Sequence, residues 1–149
     1  MSVMLKKILL VEDNPNDIEL TMEALAENNI ANAVDVARDG EEALDYLYRR
    51  GIFSSRQSGN PAVILLDLKL PKVDGLEVLR KIRSSDTFRI IPVVILTSSR
   101  EETDLIESYK LGVNAYVVKP VDFNEFVRAI RTLGLFWAII NEPPPVCVK

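Results

Sequence analysis

Residues 63–75 read VILLDLKLPKVDG. Four consecutive apolar residues end at Asp67, and the turn-rich stretch LPKVDG then leads into Val78, Leu79 and Ile82 at helical spacing. A strand apolar on both faces, followed by a turn and a helix, is the repeating unit of a parallel sheet covered on both sides. Three more runs have the same form: ILLV (8–11), VVIL (93–96) and AYVV (115–118). If the four are parallel, their carboxyl ends share one edge, which is where open α/β sheets bind ligands. The residues falling there are Glu12, Asp13, Asp67, Thr97, Ser98 and Lys119, that is, three carboxylates, two hydroxyls and an ammonium. Such a set suits magnesium and a phosphoryl group.

Helical patterns fill the gaps. Asn14 and Pro15 suit a cap and first turn, and Ile18, Met22 and Leu25 continue to about Glu27. A short β-rich run, 33–37, precedes Asp39 as a cap and a helix whose apolar face is Ala43, Leu44, Leu47 and Tyr48. The stretch Gly51 to Pro61, with two glycines and three serines, reads as a surface loop. Asp74 and Gly75 start the next helix, Gly75 permitting a tight backbone. Pro92 opens a strand, a further helix runs from about Glu101 to Leu111 with Gly112 as its stop, and a last helix spans about 122–140. Strand and helix alternate five times, which predicts an α/β fold with a doubly wound parallel sheet and right-handed crossovers.

The 149 residues suit one domain, and 48% hydrophobic with 27% charged content is that of an ordinary globule. A net charge of -4 leaves no electrostatic footprint for nucleic acid. There is no histidine, which removes histidine bases and histidine-ligated metals, so chemistry falls to carboxylates, hydroxyls and lysines. The longest apolar run, LGLFWAII (133–140), is far short of the ~20 residues that span a bilayer. The run behind Lys6 and Lys7 ends at Glu12, too short for a secretory signal, so no membrane contact and a cytoplasmic location are expected. The single cysteine, Cys147, can form no internal disulfide.

Four motifs in order, VEDN (11–14), LLDLKLPKVDG (65–75), LTSS (96–99) and VVKP (117–120), resemble the receiver domain of two-component response regulators over nearly the whole chain. The resemblance implies a flavodoxin-like (CheY-like) fold, a five-stranded sheet of order 2-1-3-4-5 with five flanking helices, here with an extended last helix. It implies a receiver over 1–141 and a Pro-rich tail over 142–149. Asp67 would be the phosphoacceptor, and Glu12, Asp13, Asp67 and the backbone carbonyl of Lys69 would hold Mg2+. The Glu-Asp pair departs from the commoner Asp-Asp form, which bears on Glu12 and not on Asp13. Lys119 would face the phosphoryl oxygens, with Lys119–Pro120 a cis bond. Thr97 and Tyr116 would be the switch residues, and Lys69 and Ser99 would tune dephosphorylation.

The last helix carries Phe123, Phe126, Val127, Ile130, Leu133, Trp137 and Ile140 on one stripe, while Leu135, Phe136 and Ile139 fall off it. An end apolar nearly all round needs a partner or the chain's own 51–61 loop against its second face; the expectation is a homodimer, with Phe126, Ile130, Leu133, Phe136, Trp137 and Ile140 at its interface, and the alternative is packing within the chain. The loop at 51–61, the LGLFWAII ending and the NEPPP tail are similar to small regulators partnered with bacterial phytochromes. A phytochrome-type sensor histidine kinase is then the expected donor, and protein contact or phosphotransfer the output of a single-domain regulator. The rival readings are a degenerate receiver serving as an unphosphorylated scaffold, a phosphatase of the haloacid-dehalogenase type and a flavodoxin-like carrier. The intact Asp13, Asp67, Thr97 and Lys119 set weighs against the first. Lys69, where such phosphatases have an aspartate, weighs against the second, and the lack of a Gly-rich phosphate loop against the third.

Overall fold

The computed structural model of the chain describes residues 7–26, 34–56, 59–97, 110, 112, 115–118 and 128. Within them the order is β1 (Ile8–Val11), α1 (Pro15–Ala26), β2 (Val34–Ala37), α2 (Gly40–Tyr48), a single 3-10 turn (Gly51–Phe53), β3 (Val63–Leu66), α3 (Gly75–Ser84), β4 (Val93–Thr97) and β5 (Ala115–Val118). The five strands form one parallel sheet of order β2-β1-β3-β4-β5. Every residue of β1 and β3 is buried, so the unbroken apolar runs in the sequence reflect cover on both faces of the sheet. Of the five expected helices, three are described; the fourth and fifth lie outside the described residues except for Lys110 and Arg128, both helical.

Local chemistry sets the helix starts. Asn14 Oδ1 accepts from the amides of Asn16 (2.9 Å) and Asp17 (3.2 Å), and Pro15 occupies the first turn of α1, where its missing N–H has no intrahelical partner to lose. Asp39 Oδ1 accepts from the Glu42 amide at 2.7 Å, and Asp74 Oδ1 from the Leu76 amide at 3.2 Å. Leu25 of α1, Ala43, Leu44 and Leu47 of α2, and Val78, Leu79 and Ile82 of α3 are buried. Gly112 has φ 78, as a helix stop requires.

The face expected for α2 needs one correction. Tyr48 is 48% exposed, whereas Tyr46 is 1% exposed and belongs to the core. The reason is polar as well as apolar: the Tyr46 hydroxyl donates to Asp35 Oδ2 at 2.7 Å, so the phenol can be buried with its donor satisfied. Tyr48 instead sets its ring edge-on to Phe88 at 5.1 Å and lies under the Arg50 guanidinium.

The 51–61 stretch is also more structured than its composition suggests. Beyond the 3-10 turn, Arg56 stacks on the Tyr46 ring at 4.1 Å and donates to the carbonyls of Tyr46 (2.9 and 2.7 Å) and Gly59 (2.9 Å). One arginine thus fastens the loop to the end of α2. Arg83, near the end of α3, has a similar part, donating to the carbonyls of Ile91 (2.8 Å), Arg89 (3.1 Å) and Gly112 (3.0 and 3.2 Å).

Burial first, and then the bond to Asp35, push the Tyr46 phenol well above its usual pKa. A group whose folded pKa is raised contributes stability that is complete below the unfolded value of 10.0 and is lost as pH rises beyond it. Thermal melts at pH 8 and 11 are therefore expected to show an alkaline loss of stability in wild type that Tyr46→Phe reduces. At pH 8 the same variant should lose about 1 kcal/mol for the missing hydrogen bond. Equal alkaline losses in the two proteins would refute the assignment.

Candidate functional site

The register brings the acidic residues together. Val11 pairs with Leu66 across β1 and β3, so the residues that follow, Glu12 and Asp67, emerge side by side at the carboxyl edge. Backbone bonds hold both exits: the Glu12 amide donates to Ala37 O at 3.0 Å and the Asp67 amide to Val11 O at 3.0 Å. Carboxylate oxygens of Glu12, Asp13 and Asp67 lie within 4.8 Å of one another. Glu12 is 2% and Asp67 6% exposed, while Asp13 faces solvent. Three carboxylates gathered so closely repel one another, and a divalent cation relieves that repulsion. The all-oxygen donor set fits a hard cation with room for water ligands.

Two side chains are aimed by neighbouring amides. Glu12 Oε2 accepts from the Asn14 amide at 3.2 Å, and Asp67 Oδ1 accepts from the Lys69 amide at 3.2 Å. The first contact was not legible as a functional one, because Asn14 read only as a helix cap. It performs both tasks, its side chain starting α1 and its amide turning the longer glutamate toward the cluster. Beside the cluster opens a cleft of about 490 Å³, lined by Asp13, Lys69, Leu70, Pro71 and Asp74 among others.

The remaining expected site residues divide by what is described. Thr97 ends β4 and pairs with Val118, the last residue of β5, so both strands finish at the acidic edge. The side chains of Thr97 and Tyr116 lie outside the described residues, as do Lys119, Pro120, Ser98 and Ser99 and the expected interface residues Phe126, Ile130, Leu133, Phe136, Trp137 and Ile140. Lys69 is described, and its residue borders the cleft.

The loop after Asp67 has partners that the sequence reading overlooked. Lys72 takes the left-handed conformation, φ 65, and its ammonium lies 3.6 Å from Asp39 Oδ2 and 3.6 Å from Glu41 Oε2. Asp39 foremost, and Glu41 after it, hold the Lys72 ammonium above its usual pKa. The available signal was a bulky residue, not glycine, between Pro71 and Val73 in a turn. Among the described residues no helix is long and apolar enough to cross a membrane.

Comparison with known proteins agrees with this geometry. The family model described as the response regulator receiver domain matches residues 8–131. The solved structure of the bacteriophytochrome response regulator AtBRR superimposes with a TM-score of 0.85 at 64% identity, covering 94% of this chain and 100% of that one. The response regulator Rcp1 of Synechocystis sp. is 40% identical over 89% of this chain and 88% of its own length. Its Mn2+-bound crystal form has a TM-score of 0.73 at 39% identity and covers 93% and 99% of the two chains. The phosphorylated form of RcpA, a cyanobacterial phytochrome response regulator, matches with a TM-score of 0.75 at 41% identity over 96% and 100%.

Proposed function

The chain belongs to the response regulator receiver family, and from that premise we propose that it is a phosphoaccepting signalling switch with Asp67 as the acceptor. The observation that carries the reading is the gathering of Glu12, Asp13 and Asp67 within 4.8 Å at the carboxyl edge of the sheet. The kinship with AtBRR and RcpA, described as a bacteriophytochrome and a phytochrome response regulator, supports a phytochrome-type histidine kinase as donor.

In the proposed transfer an Asp67 carboxylate oxygen attacks the phosphorus of a phosphohistidine. The P–O bond forms as the P–N bond breaks, and the departing imidazole nitrogen keeps the electron pair and takes up a proton. Mg2+ held by Glu12, Asp13, Asp67 and the Lys69 carbonyl would supply charge neutralisation for the incoming phosphoryl oxygens. The Lys119 ammonium pairs with those oxygens as a point charge. The product adds about 1.5 to 2 negative charges at Asp67, which draws the Thr97 hydroxyl inward and biases the position of Tyr116. Mass measurement after incubation with Mg2+ and acetyl phosphate tests the reading, and a wild type that gains no phosphoryl mass refutes it. Phosphotransfer from a phytochrome-type kinase, set against other histidine kinases, tests the donor.

The output is proposed to be protein contact, with two copies joined through Phe126, Ile130, Leu133, Phe136, Trp137 and Ile140 of the last helix. The support is the apolar pattern of that segment, which exceeds what one buried stripe requires. Sedimentation at micromolar concentration is expected to give a dimer that Trp137→Glu dissociates. A wild type that sediments as a monomer, with and without phosphorylation, would overturn this.

A further inference from the structure

The segment between β3 and α3 carries Lys69 beside the acidic cluster, and helix α2 holds the far end of that segment. A β-carbon added at Gly40, the first residue of α2, would strike the Val73 carbonyl oxygen and stand 2.7 Å from both the Val73 carbonyl carbon and its Cβ. The helix end and the loop backbone are therefore already in contact, and only glycine permits that closeness. One residue earlier, Lys72 accepts a left-handed backbone, which is unfavourable for a side chain with a β-carbon, and so reaches the start of α2. Its ammonium lies between Asp39 Oδ2 and Glu41 Oε2, each at 3.6 Å. Asp39 uses its two oxygens separately: Oδ1 starts the helix by accepting from the Glu42 amide, and Oδ2 meets the lysine. The Asp39 side chain is 10% exposed and that of Lys72 62%, so the carboxylate is fixed in place while the ammonium stays in contact with water, and salt weakens this half of the clamp.

We infer that Lys72 and Gly40 are positioning residues of the cation site: together they clamp the loop to α2, fix the place of the Lys69 carbonyl relative to Glu12, Asp13 and Asp67, and so set the affinity for a divalent cation. The inference rests on the proposed metal-binding reading of the cluster. Neither residue belongs to the acidic cluster that would hold the cation. Their effect passes through the loop backbone, which has few other ways to vary once both of its ends are held. At the other end, Gly75 donates its amide to Leu68 O at 3.0 Å.

Coulomb's law alone makes the opposite prediction for Lys72. Removing a cation from the neighbourhood of three carboxylates strengthens the binding of another cation, whereas releasing the clamp weakens it. Lys72→Asn is the decisive variant, because asparagine tolerates the left-handed conformation while the ammonium and the long stem that carries it to Asp39 and Glu41 are lost. Calorimetric titration with Mn2+ is expected to give about three-fold weaker binding in Lys72→Asn, and at least about ten-fold weaker binding in Gly40→Ala, the range in which supporting residues move metal affinity. Glu41→Gln should weaken binding less, and in the double variant with Lys72→Asn its effect should shrink, since both changes break one contact. Thermal melts in chelator check that Lys72→Asn is folded; if Gly40→Ala fails to fold, Lys72→Asn decides alone. A Lys72→Asn protein that binds Mn2+ as tightly as wild type, or more tightly, overturns the clamp and leaves the metal reading intact. A wild type that binds no Mn2+ overturns both.

Discussion

Asp67→Asn is expected to take up no phosphoryl group from acetyl phosphate and Mg2+ under conditions in which wild type is modified. The change is close to isosteric, and comparing the variant with wild type isolates the nucleophile: a carboxylate oxygen carries the charge that attacks phosphorus, and an amide oxygen does not. The expected fall in rate is at least about three orders of magnitude, the scale on which removal of a nucleophile acts. The fold should survive. The contact from the Lys69 amide to Asp67 Oδ1 can be kept by an amide oxygen, and loss of one charge relieves repulsion within the cluster. The variant should therefore melt no lower than wild type in chelator, while binding Mn2+ more weakly for want of one anionic ligand. Mass spectrometry and a melt on the same preparations decide the matter. Phosphoryl uptake by Asp67→Asn at the wild-type rate would move the acceptor to another residue.

Gly75→Ala is the second substitution with a large expected effect, and on stability it is the larger. On propensity alone alanine improves the first turn of α3 by about 1 kcal/mol. The contacts decide otherwise. A β-carbon here would strike the Asp67 carbonyl oxygen and stand 2.6 Å from Leu68 Cα and 2.8 Å from Leu68 O. These are backbone atoms on the exit of the central strand, not the flexible end of a side chain, so they can yield only by moving the segment that presents Asp67. An overpacking penalty of about 3 kcal/mol outweighs the helical gain. A net loss near 2 kcal/mol corresponds to a melting temperature lower by roughly 8 °C. Mn2+ should also raise the melting temperature less than it does in wild type, because the displaced backbone carries one ligand and precedes another. A melting temperature within about 2 °C of wild type, equally raised by Mn2+, would show that the segment relaxes at little cost.

The sheet and its edge were legible because the central strands are covered on both sides. Such strands must be apolar at every position, and the charged or hydroxyl residue at the end of each apolar run then marks the rim. Asp39, Asp74 and Asn14 were legible for a different reason: capping is local chemistry, settled within three residues of the cap. What escaped the sequence reading depended on distant partners. Tyr46 and Tyr48 are equally aromatic and two residues apart, and only the position of Asp35 on a neighbouring strand says which ring is buried. Arg56 in a serine- and glycine-rich stretch reads as solvated until the Tyr46 ring lies beneath it. Lys72 reads as an ordinary turn lysine, because its contacts with Asp39 and Glu41 cross more than thirty residues of chain. Within the candidate site, the acidic cluster was therefore readable from sequence and the support behind it was not.

Strand order has a consequence for biosynthesis. Ile8 of β1 is flanked by Val34 on one side and by Val63 on the other, so the second neighbour of that strand emerges from the ribosome some 55 residues after it. At about 5–20 residues per second the nascent ILLV segment waits roughly 3–11 seconds with one hydrogen-bonding edge open. Until β3 arrives, β1 can pair only with β2, and the time taken to translate α2 and the following loop sets how long the other edge of β1 stays open.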